Sequence, residues 1–108
     1  MARAKKVDRN HGEIVKLFRE LGAAVADTSA AGAGFVDIVV QFMPRNRASF
    51  GKETHLVEIK DGSLPPSRRR LTDRQEVFHA IFNCTIVECR QDVFDLMGFT
   101  DPDGKYAE

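Results

Sequence analysis

Several common functional signatures are missing from this chain. Its 16 Lys and Arg are balanced by 16 Asp and Glu, a formal net charge of zero. There is thus no global electrostatic signature of nucleic-acid binding, and any basic surface must be local. No apolar run approaches the roughly 20 residues that span a membrane. The basic start MARAKKVDRN is followed by no apolar stretch of the kind a secretory signal needs. Only two cysteines occur, Cys84 and Cys89. Their spacing is not that of a metal-ligand pair, and strand alternation would put them on opposite faces. Free thiols in a reducing cytoplasm are therefore expected. There is no internal repeat and no low-complexity segment, and aromatics do not interleave the basic residues as a single-strand stacking platform requires.

What is present is ordinary globular composition, 43% hydrophobic and 30% charged over 108 residues, enough for one domain and one core. A basic, flexible arm is expected over 1–9, a single domain over 10–99 and an acidic tail over 100–108. Ile14, Leu17, Phe18 and Leu21 recur at helical spacing over 10–21, with Asn10 as N-cap, Glu13 three residues on and Gly22 at the C-terminal cap. AAVADTS (23–29) reads as a short strand, and AAGAG (30–34) as a small-residue turn. FVDIVVQF (35–42) is apolar on both faces, as a strand covered on both sides would be. A polar connector leads to THLVEIK (54–60), and the pair reads as a hairpin.

DGSLPPSRRR (61–70) is broken by Gly62, Pro65 and Pro66. Thr72 and Gln75 form a capping-box pattern, and the helix they open carries Val77, Phe78, Ile81 and Phe82 on one face. A strand CTIVEC (84–89) and a short helix QDVFDLMGF (91–99) follow. This order predicts an α/β (α+β) fold, a mixed central sheet flanked by helices.

The chemistry gathers around the two central strands. Glu58 and Lys60 share one face of their strand, with Ile59 on the other, and Asp37 lies on the neighbouring strand. Charges in such apolar strands need compensation. Asp37 and Glu58, with the Ile59 backbone carbonyl, offer the hard oxygen ligands that Mg²⁺ or Mn²⁺ takes. Lys60 is placed to activate a metal-bound water or stabilise a phosphate charge. The same residues also admit a purely structural buried ion pair. Two basic segments, Ser67-Arg68-Arg69-Arg70 and the connector residues Arg45, Arg47 and Lys52, would make a phosphate-binding rim if both flank that face. Of the histidines, His55 reads as packing or surface, His11 as solvated and His79 as structural.

Asp37 followed by Glu58-Ile59-Lys60, after a helix bearing Glu13 and before a helix opening LTDRQ, resembles the PD-(D/E)XK nuclease superfamily. Within it the chain is most similar to small VRR-NUC and Holliday-junction-resolvase-like nucleases often found in phages. The resemblance covers residues 10–90, with Val36 where the name motif has proline. It implies a restriction-endonuclease-like α-β-β-β-α-β core and metal-dependent hydrolysis of DNA phosphodiester bonds, on branched or structured DNA. It assigns Asp37, Glu58 and Lys60 to the motif, Glu13 to the first-helix acid that joins the catalytic and metal-binding set, and Gln75 to a site glutamine. For Glu13 and Gln75 the capping-box role stays open beside the site role. The resemblance also implies a homodimer, in the host cytoplasm if the chain is phage-encoded, with no membrane and no organic cofactor. The alternatives are a catalytically silent DNA-binding or scaffolding module of the same fold, or a phage accessory protein that binds a protein partner through its acidic C-terminal segment.

Overall fold

The computed structural model describes residues 8–46 and 51–100. Helix α1 (His11–Glu20) forms where the apolar spacing places it, and Ile14, Leu17 and Phe18 are 3% exposed or less. It ends at Gly22, whose φ of +98° is a conformation open to glycine at little cost. Strands β1 (Ala24–Asp27), β2 (Ile38–Phe42) and β3 (Glu53–Ile59) follow as antiparallel neighbours. Strand β4 (Cys84–Val87) then pairs parallel with β3. A parallel neighbour cannot be reached by a hairpin, and α2 (Asp73–Ile81) supplies the crossover. Helix α3 (Arg90–Met97) closes the fold. The result is a four-stranded mixed sheet in the order β1-β2-β3-β4, flanked by three helices.

One face of the sheet carries the core. Ile38, Val40 and Phe42 of β2, Val57 and Ile59 of β3, and Val87 of β4 pack against Ile14, Leu17 and Phe18 of α1 and Val93, Phe94 and Met97 of α3. Each side chain of this kind that leaves water contributes about 1.5–3 kcal/mol. His55 joins this side, its ring stacked on Phe42 at 5.2 Å, which is the packing role expected of it.

Because β3 alternates, Glu58 between Val57 and Ile59 must point to the opposite face, where α2 lies. Phe35 meets Phe78 of α2 edge-on at 5.0 Å. This second layer is thinner than the sequence suggests. Of α2 only Gln75 is buried, while Val77, Ile81 and Phe82 are 62%, 70% and 48% exposed. Likewise β2 is covered fully on one face only, for Val39 is half-buried and Gln41 exposed. Two boundaries also move: Asp37 stands just before β2 and Lys60 just after β3, so both charges, buried at 3% and 8% exposure, sit at strand ends. No helix among the described residues is long and apolar enough to cross a membrane.

Candidate functional site

Asp37 is positioned by the end of a ladder. Pairing between β2 and β3 stops at Ile38 and Val57, so the Ile59 N–H points past the start of β2. The Asp37 carboxylate accepts it through Oδ2 at 2.9 Å. Asp37 is itself held by its backbone, its carbonyl accepting the Thr28 N–H at 2.9 Å. In a strand the N–H and C=O of one residue point to the same side. The Ile59 carbonyl therefore opens towards Asp37, which suits the ligand role expected of it.

Glu58 is 1% exposed, and a carboxylate so buried requires partners. Helix α2 provides them. Gln75 Nε2 donates to Glu58 Oε2 at 3.0 Å, while Gln75 Oε1 accepts from Lys60 Nζ at 2.9 Å. Lys60 Nζ stands 3.9 Å from Glu58 Oε2. The same Gln75 closes the capping box of α2: its Oε1 also accepts the Thr72 N–H at 2.9 Å, and its own N–H donates to Thr72 Oγ1 at 3.2 Å. The capping-box reading of Gln75 thus holds, and the helix cap is what aims its amide at Glu58 and Lys60.

Glu13 is placed elsewhere. It is exposed on α1, 3.7 Å from Arg90, and takes no part in a capping box, for Asn10 makes no side-chain cap. Asn10 instead donates its amide to the carbonyls of Lys60, at 3.1 Å, and Glu88, at 3.2 Å, tying the start of α1 to the ends of β3 and β4. The acid that α1 brings to the site is Asp8, inside the expected arm. It lines one cleft of about 620 Å³ with Asp37, Glu58, Lys60, Asp61 and Gln75. Burial raises the Asp8 pKa, Lys60 opposes that rise, and the charges of Asp37 and Asp61 add to it. Its signal in the sequence was slight: the one acid in a basic stretch, two residues before the N-cap. Asp61 is held low by the Ser63 hydroxyl and backbone N–H, which donate to Oδ1 at 2.6 and 3.0 Å.

The basic rim is only partly as expected. Arg68 and Arg70 line the cleft together with Arg9. Arg69 between them turns inward, donating to the Leu64 carbonyl at 2.6 Å and pairing with Glu88 at 2.9 Å. Ser67 is exposed on the short 3₁₀ turn Pro66–Arg68 and does not line the cleft. Arg45 and Lys52 lie at the far end of the sheet, around a depression that includes Met97 and Phe99, with the Arg45 guanidinium 4.7 Å from the Phe99 ring. The hairpin joins the end of β2 to the start of β3, so the length of β3 separates it from Lys60, at about 3.3 Å per residue. Arg47 lies outside the described residues.

One histidine departs from expectation, and another gains a neighbour. His11 is buried and hydrogen-bonded to Asp27 at 2.9 Å, strapping α1 to β1. His79 brings Nε2 to 3.8 Å from Glu58 Oε1; burial first, and then the charge of Lys60, lower its pKa.

Among the described residues no group of three or more His, Cys, Asp and Glu side chains is arranged to hold a metal ion. The set that remains is two carboxylates and a carbonyl, which suits Mg²⁺ or Mn²⁺ keeping several waters and does not suit a four-ligand structural zinc. In comparisons with known protein families, curated proteins and solved structures, the chain matches none.

Proposed function

We propose that this protein is a metal-dependent endonuclease that hydrolyses DNA phosphodiester bonds at the Asp37–Glu58–Lys60 cleft. The observation that carries the reading is the convergence of Asp37 with Glu58 and Lys60, from different parts of the sequence, on one cleft with Arg9, Arg68 and Arg70 at its rim. The strand and helix order agrees with the restriction-endonuclease-like core that the resemblance implies.

Asp37, Glu58 and the Ile59 carbonyl would hold Mg²⁺ or Mn²⁺, with Asp8 beside them as the acid from the α1 end. When bound, such an ion polarises a phosphate and acidifies a water. Lys60, fixed by Gln75 Oε1, presents an ammonium to the phosphate or the attacking water. Arg68, Arg70 and Arg9 hold flanking phosphates and set the position of the scissile one. A branched substrate, a homodimer that cuts two strands and a phage source extend the reading through the resemblance to junction resolvases.

A second reading, a DNA-binding or scaffolding module that does not cut, is favoured by the way Glu58 is turned to Gln75 and His79. A panel of labelled single-strand, duplex, flap and four-way-junction DNAs decides between them, incubated with Mg²⁺, Mn²⁺ or EDTA. Cutting with either metal that is lost in EDTA and in Lys60→Ala supports the nuclease. Binding without cutting establishes the second reading, and no binding removes both.

A further inference from the structure

We propose that His79 selects the divalent cation of the cleft, by standing against one oxygen of Glu58 so that the carboxylate coordinates through a single oxygen. The inference rests on the metal-binding reading above. Gln75 and His79 are one helical turn apart on α2 and so lie on the same face. They stand against different oxygens of one carboxylate, Gln75 Nε2 at 3.0 Å from Oε2 and His79 Nε2 at 3.8 Å from Oε1. The His79 Nε2 atom is buried and has no hydrogen-bond partner. In the tautomer that carries its proton on Nε2, a buried N–H without an acceptor is costly, and the Glu58 carboxylate oxygen is less than 1 Å beyond hydrogen-bond reach.

A carboxylate offers about four lone-pair directions. Gln75 donates to Oε2, which the Lys60 ammonium also faces at 3.9 Å, and His79 faces Oε1. A cation that drew on both oxygens would have to displace both sides, so the arrangement suits one that takes a single oxygen from each carboxylate, as octahedral Mg²⁺ does. It disfavours Ca²⁺, which draws on both oxygens of a carboxylate and a larger, looser shell. His79 is thus a positioning residue that acts through Glu58 and need not touch substrate.

The test is calorimetric titration of the full-length chain with Mg²⁺ and, separately, Ca²⁺, without DNA. His79→Phe keeps the ring volume and removes the N–H, and is expected to raise the ratio of Ca²⁺ to Mg²⁺ affinity about tenfold. His79→Gln restores a donor and is expected to keep the wild-type ratio. An unchanged ratio in His79→Phe overturns the inference while leaving the metal site intact, as does an equal shift in His79→Gln. Should the phenyl ring prevent folding, His79→Leu carries the same comparison. Wild-type protein that binds neither cation overturns the metal-binding reading itself, and this inference with it.

Discussion

Gln75 Oε1 accepts from both Lys60 Nζ and the Thr72 backbone N–H, each at 2.9 Å. One oxygen therefore serves the start of a helix and the only lysine that lines the cleft among the described residues. Stability and activity should be lost together here. Gln75→Ala is expected to cost about 1–3 kcal/mol in urea unfolding, since it removes a cap partner and leaves Glu58 under-satisfied. Cleavage should fall in parallel, measured on the folded fraction. A variant that kept full stability would show the capping box to be dispensable.

Lys60→Ala is expected to lower single-turnover cleavage by about 10²–10³-fold, the usual effect of removing a preorganised charge from a reacting centre. Its affinity for DNA should change far less. A matching loss of affinity would reassign Lys60 to phosphate binding.

Asp8 and Glu13 divide cleanly. Asp8→Asn removes a carboxyl that lines the cleft and should weaken both Mg²⁺ binding and cleavage. Glu13→Gln alters an exposed side chain 3.7 Å from Arg90 and is expected to leave activity unchanged, with stability within about 0.5 kcal/mol. The reverse pattern would restore Glu13 as the first-helix acid.

Salt dependence locates the phosphate contacts. Arg68→Ala and Arg70→Ala should each reduce the slope of log affinity against log salt by about 0.9 for duplex DNA. Arg45→Ala, beyond the far end of β3, should leave the slope unaltered. Arg69→Ala is expected to act on stability instead, because it releases Glu88 and the Leu64 carbonyl.

The acid limb of stability has an assignable contributor. Asp27 has its pKa lowered to about 2, mainly by the Ser29 hydroxyl and then by His11. A carboxylate whose folded pKa is depressed contributes fully above its unfolded value of 3.8. That contribution is lost as pH falls from there towards 2. Its side chain is 42% exposed, so solvent screening limits the effect to about 1 kcal/mol. Urea unfolding between pH 5 and pH 2 should show a shallower acid decline in Asp27→Asn.

Much of the fold was legible because the local signals agree. Helical spacing in α1, the Thr72–Gln75 box and the apolar β2 and β3 each specify an element, and their order specifies a mixed sheet. The trio Asp37, Glu58 and Lys60 was legible because charges in apolar strands stand out. Glu13 misled because helical register does not say which way the helix start faces, and Asn10 was taken up by the carbonyls of Lys60 and Glu88 instead of by a cap. Asp8 was hidden in an apparent basic arm. Arg45 and Lys52 were misplaced because nearness in sequence to a site residue says nothing about which end of a strand a loop occupies. That His79 would stand beside Glu58 was not legible, because the contact arises only when α2 folds back over β3.

Helix α2 adds no residue to the main core, and its inward grip consists largely of Gln75, His79 and the Phe35–Phe78 contact. It is therefore the segment whose amides should exchange first among the three helices, through local opening that spares α1 and α3. Gln75, the partner that Glu58 and Lys60 share, would come and go with that opening. Any ligand that needs Glu58 and Lys60 in register then stabilises the closed form by mass action, so slower α2 exchange would report occupancy of the cleft before any chemistry occurs.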